Sequence, residues 1–347
     1  MSRHLHLVGS VPLSDAREVF TVVSRQLGPY LKRIPDGETG ERLDWITWLE
    51  PIFVNHPAFE PSGETFQLHG ALQRRDRRYR LKPGVAPDSV KFDNILYGDV
   101  ALRSYEIFAE LKQQGIIPAH CKFQIDFVPA HSVIWLYVQE ELQRAIDTPF
   151  NEAVLREIDK IAAAIPHGQI AIQFDVASAV FARLERAQQS PYGATKEEMQ
   201  ETFTQIVLRL ANHVPADIEL LFHFCYGDAG HKHVVEPTDM GDMVEFANRL
   251  SSQVTRPIHL IHMPVPRNRT DEAYFAPLDR LKLQGETELC LGLIHYTDGV
   301  DGTMRRLDVA KQRRACFSLA TECGFGRRDP STLPELLRIH ADVAAKS

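Results

Sequence analysis

The sequence predicts an α/β fold, a single (β/α)8 TIM barrel running through residues 1–347, with an insertion after its second strand. Three observations carry that prediction. Eight short runs rich in Val, Ile, Leu and Phe recur along the chain, helical patterns fill most of the gaps between them, and 347 residues suffice for a barrel of roughly 250 residues plus additions.

In order, the runs are "HLHLVGS", "YLKRIPDGE", "KFQIDFVP", "QIAIQFDVAS", "IELLFHFCYG", "PIHLIHMPV", "LCLGLIHYTDG" and "FSLATECGF". The intervening "DVALRSYEIFAELKQQG", "NEAVLREIDKIAAAI", "KEEMQETFTQIVLRLANHV", "TDMGDMVEFANRLSSQV" and "MRRLDVAKQRRA" place apolar residues at three- and four-residue spacing, the signature of helices with one buried face. Residues 52–97 break the alternation with prolines, glycines and few helical signals, and read as an inserted loop or hairpin and a candidate lid. The arginine-rich 73–82 within it reads as a solvated hairpin or an anion-binding lid.

Composition narrows the function. With 39 basic against 46 acidic residues the net charge is -7, which disfavours general nucleic-acid binding. The 44% hydrophobic and 24% charged content, without an apolar run of about 18 residues, argues against a membrane role. The N-terminus lacks the apolar core of a secretory signal, so a cytoplasmic location is expected. Five cysteines without such a signal argue against a disulfide framework and leave thiols for chemistry. No glycine motif of phosphate-cradling spacing is present.

In barrels of this kind the active site is built at the C-terminal ends of the strands. The predicted strands end on Gly9 and Ser10, on Asp36 and Glu38, near Asp126 and His131, on Gln173 and Asp175, on His223 and Cys225, on His262, on His295 and Asp298, and on Glu322 and Cys323. His223 and Cys225 are two apart, so on a strand their side chains share one face. An imidazole and a thiolate there could bind one zinc ion at about 2.0 to 2.3 Å, with Cys323 as a third ligand. By pattern alone an ordinary buried cysteine beside a hydrogen-bonded histidine stays open as well. Asp36, in "PDG", reads as a turn residue, His131, His231 and His233 as surface or loop histidines, and Cys121, Cys290 and Cys316 as fillers of apolar space.

Taken together, "HFCY" at 223–226, "ECGFGRR" at 322–328, "VGSVP" around Gly9 to Pro12, "GETGERLD" at 37–44 and "QFD" at 173–175 resemble, in the same order, motifs of the catalytic C-terminal barrel of cobalamin-independent methionine synthase. The resemblance covers most of the chain outside 52–97. It implies zinc-dependent transfer of a methyl or other alkyl group to a small-molecule thiol such as homocysteine, activated as a metal-bound thiolate. The metal ligands it implies are His223, Cys225 and Cys323, and Ser10, Glu38 and Asp175 fall on the contacts to the amino-acid part of the thiol substrate. Where the family has a glutamate ligand this chain offers His262, and "DVAS" stands in place of the family's "DEPA". The alkyl donor is left open, a methylated folate being one candidate. His295, or Asp298 through a water, is expected to protonate the leaving atom. Two other readings are a metal-free decarboxylase or lyase resembling uroporphyrinogen decarboxylase, which calls for arginines facing the cavity, and a catalytically silent metal-binding protein.

Overall fold

The computed structural model describes residues 3–66, 76–228 and 233–347, with backbone only at 66 and 76. Its centre is a curled, seven-stranded parallel sheet. The strands, in chain order, are β1 (Arg33–Pro35), then a separate antiparallel hairpin of β2 (Phe59–Phe66) and β3 (Asp76–Leu81), then β4 (Lys122–Phe127), β5 (Ile170–Val176), β6 (Glu219–Phe224), β7 (Leu260–Pro264), β8 (Glu288–Ile294) and β9 (Ser318–Thr321). The sheet order is β1-β4-β5-β6-β7-β8-β9.

The first predicted run differs from the other seven. It carries no strand ladder, but Leu5 bridges in parallel to Leu31 on one side and Leu319 on the other, so this segment touches both edges of the sheet. The backbone amides of Leu5 and His6 donate to Tyr30 and Leu319. A single bridged residue is what remains where "GSVP" turns the chain away after a short run.

Strands buried on both faces need continuous apolar runs, and β5 (IAIQFDV) is buried along its whole length. The expected helices form at 97–113, 143–164, 196–213, 241–253 and 299–313, joined by 16–27, 130–137, 178–186 and 333–346, which the spacing pattern had not marked. A capping box of Thr195 and Glu198 starts the helix 196–213. No described helix is long and apolar enough to cross a membrane.

Facing inward, Val8, Ala171, Leu221, Leu260, Cys290 and Ala320 pack as an apolar layer. Two residues further along their strands come Gln173, His223, His262 and Gly292, so a polar layer sits directly on an apolar one. Gly292 is required there, because a Cβ would lie 3.0 Å from His262 Nε2 and 2.8 Å from the Glu322 Cα.

The hairpin packs beside the sheet. Gln139 donates its amide to the Tyr79 carbonyl, and Phe53, Phe59, Tyr79, Phe92, Tyr137 and Phe150 form one aromatic cluster beneath it. Within 73–82, residues 73–75 lie outside the described residues, while Arg80 pairs with Glu60 at 2.9 Å.

Candidate metal and substrate site

Period-two alternation on β6 turns His223 inward and carries Cys225, just past the strand end, to the same side. The loop after β9 brings Cys323 to meet them, and the three ligand atoms lie within 4.8 Å of one another. Cys225 Sγ is 3.8 Å from Cys323 Sγ, and His223 Nε2 is 4.0 Å from Cys323 Sγ. Ligands on a tetrahedral zinc at about 2.0 to 2.3 Å stand roughly 3.5 to 3.8 Å apart, so the cluster matches that size with little adjustment.

Hydrogen bonding fixes which atom His223 presents. His262 Nε2 lies 3.0 Å from the Thr321 carbonyl, which can only accept, so in neutral His262 this nitrogen carries the proton and Nδ1 is bare. His223 Nδ1, 2.7 Å from that bare atom, must then donate. Burial lowers both histidines, His262 to about 3, and keeps them neutral. His223 Nε2 therefore points a lone pair at two sulfurs. Such a donor set fits a soft or borderline cation far better than it fits itself.

The ligand role expected for His262 does not fit this geometry, since both of its nitrogens are already engaged and it stands behind His223. Its position is that of the outer partner that orients a metal-binding imidazole.

Arg327 was missed as an individual residue by sequence reasoning. Its guanidinium donates to the Asp228 carbonyl at 2.9 Å, faces the Asp228 carboxylate at 3.3 Å and reaches Cys323 Sγ at 3.5 Å. The Cys225 thiol, donating to Cys323, together with this guanidinium holds Cys323 well below the usual thiol range, while Cys225 is pushed up.

The same cavity is also lined by Ser10, Glu38 and Asp175. Glu38 sits at φ 46° just after Gly37, a conformation side chains rarely adopt, and its amide donates to Asp36 Oδ1 at 2.9 Å. Asp36 is in turn clamped by Arg42 at 2.7 Å and by the Ser104 hydroxyl, which agrees with its reading as a turn residue. Asp175 accepts from Gln173 at 2.9 Å. Asp126 belongs to the same acidic group: a Cβ on Gly9 would lie 3.0 Å from its Oδ2 and 3.3 Å from Glu38 Oε2. Burial raises all three carboxyls, Glu38 to about 7, and the nearby Glu38 charge adds to it at Asp126 and Asp175. Ser10 accepts from the Gly326 amide at 3.1 Å, tying this wall to the loop that carries Cys323.

The expected acid catalysts lie elsewhere. Asp298 forms a two-point ion pair with the buried Arg306, at 2.6 and 2.8 Å, which offsets the effect of its burial and holds its pKa below the usual carboxylate value. His295 donates toward the Val265 carbonyl at 2.8 Å and faces Glu322 at 3.5 Å. Neither lines the cavity that holds the sulfurs. A strand-end position was the only sequence signal for them, and their partners are structural.

One of the histidine expectations shifts. His131 is fully buried against Phe203 instead of lying at the surface, while His233 lies in a loop as expected, its side chain between Glu322 and Glu236. His231 lies outside the described residues. Cys121 and Cys290 are buried as expected, but Cys316 is exposed.

No protein-family model matches the sequence, and no curated protein does. Solved structures do match in fold. A B12-independent methionine synthase from Shewanella sp. W3-18-1, solved in complex with selenomethionine, superposes with a TM-score of 0.62 at 15% identity, covering 100% of this chain and 98% of the other. A protein assigned as a vitamin-B12 independent methionine synthase from Listeria monocytogenes superposes at 0.55 with 14% identity, covering 95% of this chain and 86% of the other. At such identities the likeness is one of fold, and the chemistry has to be argued from the site.

Proposed function

We propose that this chain is a zinc-dependent S-alkyltransferase acting on a small thiol of the homocysteine type. The observation that carries this reading is the convergence of the bare His223 Nε2 with the sulfurs of Cys225 and Cys323 in one cavity with Glu38 and Asp175. Three protein donors leave a four-coordinate ion one further position, the pattern of catalytic rather than structural zinc. When bound there, zinc supplies Lewis acidity, which brings a substrate thiol to its nucleophilic thiolate form at neutral pH.

The chain's own residues do the rest. Glu38 and Asp175 suit the ammonium group of an amino-acid thiol, and the arrival of that cation favours the ionised form of carboxyls that burial otherwise keeps protonated. Ser10, on the same wall, can donate its hydroxyl to a carboxylate. His262 holds the His223 ring, Arg327 holds Cys323, and Val8, Ala177 and Val234 exclude water from the reacting atoms. A fold neighbour solved with selenomethionine is consistent with an amino acid bearing a methylated chalcogen as product.

The metal-free decarboxylase reading calls for arginines in the cavity. Arg327 is the one arginine among the described lining residues, and it is engaged by Asp228. A direct test is cobalt substitution. Homocysteine added to the cobalt-loaded chain should strengthen the sulfur-to-cobalt absorption bands, and Glu38→Gln should raise the concentration needed. Unchanged spectra at saturating homocysteine would rule out entry of the thiol into the coordination sphere.

A further inference from the structure

The thiol reading leaves the alkyl donor unassigned, and the charge of the cavity bears on it. Its lining holds four carboxyl groups, Glu38, Asp44, Asp175 and Asp228, against the single guanidinium of Arg327. Asp228 takes that guanidinium. A donor with an anionic tail would find the one guanidinium already engaged by Asp228 and the Asp44 carboxylate on the same cavity lining, whereas a cationic donor would meet that carboxylate as attraction.

Trp45 adds an aromatic wall to the same cavity, next in sequence to Asp44. The Asp44 carboxylate acts on Arg327 electrostatically but forms no hydrogen bond or ion pair of its own among the described residues. An indole face beside an unpaired carboxylate is the recognition chemistry of cations that cannot donate hydrogen bonds.

Two further observations point the same way. At the rear of the acidic wall the side-chain oxygen of Gln124, a residue only 1% exposed, has no partner. Its nitrogen is committed to the Leu7 carbonyl and to Asp126, so the amide cannot be turned round, and the wall offers acceptors in excess of donors. The second concerns protons. A methylated amine of the folate kind leaves as an anion unless it is protonated, yet His295 and Asp298 lie outside the cavity with their own partners. Glu38 and Asp175 cease to be acids once the ammonium of the thiol substrate has ionised them.

We infer that the alkyl donor is an onium compound, a sulfonium or quaternary ammonium ion, seated with its cationic centre against Trp45 and Asp44. This inference rests on the thiol-transfer reading. In the transfer the thiolate sulfur forms a bond to the methyl carbon while the carbon–heteroatom bond breaks. The bonding pair goes to the departing sulfur or nitrogen, which leaves as a neutral thioether or tertiary amine. The charges of thiolate and onium cancel, and no proton is needed.

Two measurements on the full zinc-loaded chain test it. Calorimetric titration with tetramethylammonium should show saturable binding that neopentyl alcohol, a soluble neutral analogue of the isostere neopentane, does not share, weakened about tenfold by Trp45→Leu and less by Asp44→Asn. Incubation of homocysteine with trimethylsulfonium or, separately, with a methylated folate, read by mass spectrometry, should give methionine from the sulfonium alone. Binding of tetramethylammonium no tighter than of the neutral analogue overturns the onium seat, as does methylation from the folate and not the sulfonium, which leaves thiol transfer intact. Cation binding that depends on Trp45, with no methylation from either donor, keeps the seat and removes thiol transfer.

Discussion

Two groups of polar residues sit along the same rim, at the ends of neighbouring strands, and they differ in where their partners are. Past β8, Asp298 and Arg306 satisfy each other, and His295 is spent on the Val265 carbonyl and Glu322. At the ends of β6 and β9 the bare nitrogen of His223 and the two sulfurs face one another, and Glu38 and Asp175 line the same cavity with carboxyls raised by burial. The first group is complete within the protein. On the proposed reading the second is completed by cations from outside, and that difference would separate structural from functional polarity among residues that look alike in sequence.

The contrast can be broken from the structural side first, where the largest effect is expected. Arg306→Met removes the two-point ion pair to Asp298 and the hydrogen bonds to the Leu293 and Arg267 carbonyls, and should cost about 3 kcal/mol of stability, measured by denaturant unfolding, while zinc content stays unchanged. If zinc were lost from the folded variant, the two regions would not be separable.

On the functional side, Asp175→Asn should change stability little and weaken the apparent affinity for homocysteine by about 2 kcal/mol, roughly thirtyfold. A variant that kept wild-type homocysteine affinity would move the substrate away from this wall. His262→Phe keeps an aromatic ring but removes the acceptor for His223 Nδ1–H, and should lower zinc affinity about tenfold to a hundredfold in competition with a chelator. Complete loss of zinc in that variant would instead argue that His262 is itself a ligand.

A further effect concerns pH. Glu38 in the metal-free, substrate-free chain has its pKa raised from 4.5 to about 7, chiefly by burial. A carboxyl raised on folding contributes stability that is fully present below the unfolded value and is lost as pH rises through the folded one. The melting temperature should therefore fall by a few degrees between pH 4.5 and 7, and Glu38→Gln should flatten that slope. A slope that the substitution leaves unchanged would place the titration elsewhere.

How much of this could be read from the chain depends on how local the cause is. Strands and outer helices follow from apolar periodicity within a dozen residues, and the five expected helices form, although the one expected from Asn151 begins at Gln143. That His223 and Cys225 share a face follows from a period of two. Cys323, 98 residues beyond Cys225, came from its place at a predicted strand end and from the resemblance, because no local pattern spans that distance. The engagement of His262 by Thr321, of Arg327 by Asp228 and of Asp298 by Arg306 was not legible, since each depends on which side chains meet across strands and loops. Trp45 and Asp126 were passed over for the same reason: neither residue is unusual until the fold sets it beside Glu38.

The central claim is that one cation joins β6 to the loop after β9. It is tested most directly by the metal content of the purified chain after zinc reconstitution, wild type beside Cys225→Ser and Cys323→Ser, with circular dichroism to confirm folding. The account predicts about one zinc per chain in the wild type and its loss in both folded variants. Wild-type protein that takes up no zinc, or variants that retain it fully, would contradict it.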